Sequence, residues 1–214
     1  MALSALSDEL MRAEGMMMQD QNEEALELLL RLAEDAEEYV DCNCQTTDEV
    51  QYFAFPTLFD RLAYRRVEND PRKLEDVHEP FDRLYGDLAM AYVRTGDYEN
   101  AMNALKTAIR WNPMNCGFRL DLADLFKIAG DIREHIALTF GVFERASEAR
   151  HLTRAFLNFA AWFEAQGRLE QAAACLRAAR RFEVKDSALE AALDQAAGTP
   201  KDPDGLTDEE ANDL

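Results

Sequence analysis

The stretch from Phe81 to Asn115, FDRLYGDLAMAYVRTGDYENAMNALKTAIRWNPMN, constrains the fold more than any other part of the chain. Apolar residues recur at spacings of three and four: Tyr85, Leu88, Ala89 and Tyr92, then Ala101, Leu105, Ala108 and Ile109. That spacing puts each set on one face of a helix. Thr95-Gly96-Asp97 reads as a tight turn between the two helices, and Pro113 closes the unit. The alanines let helices approach closely and the larger residues fill the space between them. Neither helix can bury its apolar face alone, so the hairpin needs neighbours.

The chain supplies them. At 116–150 a first helix carries Leu122, Ala123 and Phe126, the turn is Ala129-Gly130-Asp131, and a second helix is expected over Ile132–Ala146, with His135 in the place of Ala101. At 153–186 the first helix carries Phe156, Phe159, Ala160 and Phe163, the turn is Gln166-Gly167-Arg168, and the second carries Leu169, Ala172, Leu176 and Ala179. Gly96 and Gly130 are 34 residues apart, and Gly130 and Gly167 are 37 apart, which places a three-residue insertion near 146–152. Upstream, residues 1–39 form a similar hairpin without a turn glycine. Its second helix begins after Asn22, read as the N-cap, and carries Ala25, Leu28, Leu29, Leu32 and Ala36. Residues 40–80 break this rhythm. Thr46 and Glu49 have capping-box spacing. The run 49–55 reads as helix or as extended chain, and a helix is expected over 57–67 after Pro56. Residues 69–80 read as a connection holding at most one helical turn. Ser187 and Glu190 form another capping box for a last helix to Ala197, stopped at Gly198. The polar, acidic residues 199–214 lack the apolar content to fold and are expected to be disordered.

A helical hairpin repeated at a period of 34 resembles the tetratricopeptide repeat. Tyr85 matches the first aromatic position, Leu88-Ala89 the Leu-Gly pair, Tyr92 the next tyrosine and Gly96-Asp97-Tyr98 the turn. Ala101, Leu105, Ala108 and Pro113 match the second helix and its close. Ala89 and Leu105 depart from the commonest residues. The unit at 153–186 is nearly as close, the unit at 116–150 departs in its second helix, and the hairpin at 1–39 aligns as a degenerate copy through Ala25. The fold implied is all-α, an α-α superhelix of such hairpins over 81–198 with a C-terminal capping helix. The implied role is a non-catalytic adaptor or scaffold that binds a peptide or helix of a protein partner.

In this family the first helix of each hairpin lines the inner, partner-binding face. Helical spacing then assigns Arg83, Met90 and Arg94 to that face from the first tandem unit, Leu120, Asp124 and Lys127 from the second, and Arg154, Leu157 and Asn158 from the third. Asp87, Asp121 and Asp124 argue against capture of a C-terminal carboxylate. The aromatic segment 50–64 competes for the same surface, either filling part of the groove or packing along the edge of the array. A chaperone for a secreted or assembly-prone partner is an alternative within the same class.

Chemistry is sparse. The sequence holds no Gly-rich phosphate loop, no H-E-x-x-H and no G-x-S-x-G. Cys42, Cys44 and His78 support an alternative reading as a metal-dependent regulator or enzyme, but they are too few for a usual zinc site. The reading preferred is no enzyme, no metal and no cofactor. With 42 acidic against 23 basic residues the net charge is −19, which disfavours nucleic acid and anionic membranes as partners. No apolar run reaches the length of a membrane helix, and the first residues lack the basic start and apolar core of a signal peptide. Four scattered cysteines form no disulfide framework, so the cytoplasm is the expected compartment. The last helix, with Glu190 and Asp194 outward, is read as a cap that favours a monomer.

Overall fold

Four turns carry the same backbone pattern, and they define the architecture. At Gly96 the chain enters the left-handed region (φ 83°); its N–H bonds to the carbonyl of Val93, and Asp97 N–H bonds to Tyr92. Gly130 (φ 84°) repeats this with Lys127 and Phe126, and Gly167 (φ 73°) with Glu164 and Phe163. These bonds satisfy carbonyls that the helix end leaves open. In the N-terminal hairpin Asp20 takes the glycine's place at φ 59°, with Asp20 N–H on Met17 and Gln21 N–H on Met16. Aspartate is among the few residues that enter this region at modest cost.

The computed structural model describes residues 3–182 and 184–197. Its elements are α1 (Leu3–Met18), α2 (Asn22–Asn43), β1 (Val50–Phe53), α3 (Leu58–Glu68), β2 (Lys73–Asp76), α4 (Phe81–Thr95), α5 (Tyr98–Trp111), α6 (Cys116–Ile128), α7 (Ile132–Phe140), α8 (Ala149–Ala165), α9 (Leu169–Arg180) and α10 (Ser187–Ala197). The fold is an all-α array of helical hairpins with little strand. The stop expected at Gly198 and the tail 199–214 lie outside the described residues. The chain divides into two compact units, the first ending at Phe118 and the second beginning at Arg119.

In the first unit the hairpin α1–α2 packs directly on the hairpin α4–α5, through α2 against α4 and α1 against α4. Residues 44–80 are therefore an insertion in the connection between two stacked hairpins. That insertion departs from what its sequence suggests. No helix starts at Thr46. The Thr47 hydroxyl instead accepts from the N–H groups of Glu49 and Val50, and residues 50–53 run extended. β1 pairs in parallel with β2, Val50 opposite Lys73 through Phe53 opposite Asp76, and α3 makes the crossover. The connection at 69–80 thus holds a four-residue strand in place of a helical turn. Thr57, capping the N–H of Asp60, starts α3 one residue later than the spacing implies. Phe53, Phe55, Tyr64 and Leu74 bury together with Met114, beyond the end of α5. Ala54 N–H bonds to the carbonyl of Trp111 at 2.9 Å. The aromatic segment thus has a core of its own within the first unit.

In the second unit α8 packs against α9, and α7 packs on α8. α7 stops at Phe140, six residues short of the expected Ala146. The reason lies in its side chains. His135 is 2 % exposed, with Nδ1 2.8 Å from the carbonyl oxygen of Ala123, and the Thr139 hydroxyl donates to the His135 carbonyl. A buried, hydrogen-bonded ring thus stands where the repeat has a methyl group, and from Gly141 the chain continues in turns over 141–145. α8 begins at Ala149, so the inserted residues lengthen its first turn. Two caps also differ from the spacing. Asp186 Oδ1, not Ser187, accepts from Ala188 and Leu189 to start α10. Asn22 is already helical, and Gln21 before it makes no side-chain cap.

Candidate functional site

The first helices of the hairpins were the expected binding surface, and in the first unit two of the three assigned side chains are already engaged. Arg83 Nη2 and Nε lie 2.6 and 2.8 Å from Glu14 Oε1 on α1. Arg94 Nη1 donates to the carbonyl of Met17 at 2.8 Å. Met90 is 48 % exposed. The inner side of α4 is therefore largely occupied by the N-terminal hairpin, which the repeat pattern alone cannot reveal.

The second unit holds a groove of about 950 Å3 lined by α6, α8, α9 and α10. Five of the six residues assigned to this unit line it: Asp124 and Lys127 from α6, and Arg154, Leu157 and Asn158 from α8. Leu120 does not. It is fully buried (0 % exposed), so its assignment to the inner surface is corrected. It lies four residues, about one helical turn, before Asp124, and its larger apolar side chain is drawn into the core.

The groove floor is apolar, from Leu157, Ala160, Ala172 and Leu176, and charges stand at its edge. Arg154 is the best-held of these. Its Nη2 lies 2.7 Å from Asp121 and 2.6 Å from Asp124. Burial opposes the guanidinium's charge, but the two carboxylates outweigh it and raise its pKa. The wall from α10 was missed: Leu189, Ala192 and Gln195 complete the groove. The helix was legible as a cap, yet following α9 it takes the place of the first helix of a further hairpin, and that position is the signal for it.

The metal alternative finds no support in this geometry. Cys44 is buried while Cys42 and His78 are exposed, and among the described residues no three ligand-type side chains are placed to hold a metal ion. No helix among the described residues is long and apolar enough to cross a membrane.

The family described as tetratricopeptide repeat matches residues 82–115, which are the α4–α5 hairpin. This hairpin is a tetratricopeptide repeat. No curated protein is significantly similar in sequence to the chain as a whole. Tetratricopeptide repeats serve in general as surfaces for protein partners, which supports a role in protein–protein interaction. The shared turn geometry at Asp20, Gly130 and Gly167 extends the hairpin pattern beyond the matched tetratricopeptide residues.

Proposed function

We propose that the protein is an adaptor whose second unit holds a peptide or helix of a protein partner in the groove walled by α6, α8 and α10. The observation that carries this reading is the groove's composition: an apolar floor at Leu157 and Leu176, with Lys127, Asp124 and Arg154 at its edge. An amphipathic segment would bury two or three apolar side chains on that floor and set its register by the charges. Each fully buried anchor of Leu or Phe size contributes about 1.5–3 kcal/mol. The Asp121–Arg154–Asp124 cluster keeps the guanidinium in one orientation, so the charges at this edge are fixed before a ligand arrives and no long side chain must be reordered.

The test uses the full chain as bait for a displayed library of random peptides. Peptides that bind are then titrated against Leu157→Glu, a half-buried groove position. The reading expects at least tenfold weaker binding with the melting temperature held within a few degrees. If every selected peptide binds that variant as tightly as the original chain, the groove is not the site.

A further inference from the structure

A second cavity lies in the first unit, between the C-terminal half of α2 and the start of α4, with a volume of about 370 Å3. Asp35, Glu38, Tyr39 and Cys42 of α2 line it, with Glu79 and Phe81. Glu79 is only 8 % exposed, and its Oε2 is buried without a hydrogen-bond partner among the described residues. A carboxylate oxygen withdrawn from water and left unpaired is destabilising, so natural proteins leave few of them. Burial accordingly pushes the Glu79 carboxyl up from its ordinary pKa. Asp35 and Glu38 bring two further negative charges, and none of the three forms an ion pair among the described residues. Among the described residues no lysine or arginine lines the cavity. Its other walls are aromatic: Tyr39 and Phe81 meet edge to face with ring centroids 6.0 Å apart.

An unpaired buried carboxylate beside two aromatic rings has a definite complement. We propose that this cavity binds an organic cation, a guanidinium or an alkylammonium, with Glu79 as its counter-charge and Tyr39 and Phe81 as its aromatic walls. Such a cation supplies N–H donors to Glu79 Oε2 and places its charge against a ring face, where cation–π attraction adds to the ion pair. A bare metal ion fits less well, because the carboxylates and Cys42 do not converge as a set of three ligands among the described residues. The cation has two possible sources, a free small molecule or an arginine or lysine side chain of a protein. The proposal concerns the first unit and stands apart from the groove of the second.

The experiment titrates the full chain with n-butylguanidinium and with n-butylurea, a neutral analogue of the same shape, following the Tyr39 and Phe81 ring signals by NMR. Saturable binding of the guanidinium is expected, at least tenfold tighter than the urea. Glu79→Gln, which keeps the side-chain shape, is expected to weaken the guanidinium tenfold or more and leave the urea unchanged. Glu38→Gln at the rim should cost less than threefold, and Leu157→Glu nothing. Equal binding of the two compounds, unsaturable shifts, or an unaltered guanidinium affinity in Glu79→Gln would overturn the proposal. Tyr39→Leu serves as a second variant, with a loss of several-fold expected and none if the rings take no part. The pentapeptide Ala-Ala-Arg-Ala-Ala separates the sources. Tighter binding than the free cation assigns the site to a protein side chain; exclusion of the peptide assigns it to a small molecule.

Discussion

Arg83 on α4 and Glu14 on α1 are joined by two hydrogen bonds to one carboxylate oxygen, 2.6 Å from Nη2 and 2.8 Å from Nε. The pair spans 69 residues of sequence and fastens the degenerate N-terminal hairpin to the best-formed repeat. Both side chains are about one-third exposed, so solvent screens much of the attraction. A double-mutant cycle with Arg83→Met and Glu14→Gln is expected to give a coupling of about 0.5–1.5 kcal/mol in urea unfolding. A coupling of zero would mean that apolar packing alone seats α1.

Asp87 sits beside this pair. Burial, reinforced by the negative charge of Glu14 and opposed by Arg83, pushes its carboxyl up to about 7. The folded state therefore holds a proton that the unfolded chain releases near pH 4. By linkage, stability is highest below that lower value and falls as pH rises from about 4 to about 7, then levels off. Asp87→Asn is expected to flatten this slope and to stabilise the protein by roughly 1–3 kcal/mol above pH 7. Parallel denaturation of the two forms between pH 4 and 8 checks both signs.

Asp20 and Gly96 occupy equivalent positions in two turns, at φ 59° and 83°. Glycine is at ease there and other residues are strained. Asp20→Gly is expected to stabilise by up to about 1 kcal/mol, and Gly96→Ala to destabilise by about 1 kcal/mol or more. Thermal unfolding of the two variants would show opposite shifts; shifts of the same sign would contradict the assigned equivalence.

Leu120 and Leu157 differ in kind despite matching sequence positions. Leu120→Ala removes a fully buried side chain and is expected to cost about 2–5 kcal/mol of stability. Leu157→Ala, at a half-buried groove residue, should cost less than about 1.5 kcal/mol. Chemical denaturation distinguishes them directly.

His135→Ala removes the bond to the Ala123 carbonyl and leaves a cavity between α6 and α7. A loss of about 2–4 kcal/mol is expected, with the buried Thr139 also losing its packing. An unchanged or raised melting temperature would mean that the hairpin recloses on the small residue its repeat pattern calls for.

The period of three and four along 81–111, the turn glycines and the small residues such as Ala101 determine the helical hairpins, because helix periodicity and turn chemistry are properties of neighbouring residues. They also made Asp124, Lys127, Arg154, Leu157 and Asn158 legible as one surface within the second unit. Other features rested on contacts between distant residues. The strand at 50–53 exists because Lys73–Asp76 comes back to pair with it, and local patterning left that segment open. Asp20 in a glycine's role, Glu14 on Arg83, His135 on Ala123 and the α10 wall of the groove arise in the same way. So does the unpaired carboxylate of Glu79. Burial and partnership belong to residues that meet across the fold, and a chain with 42 acidic residues does not mark which carboxylate will be shut away from water.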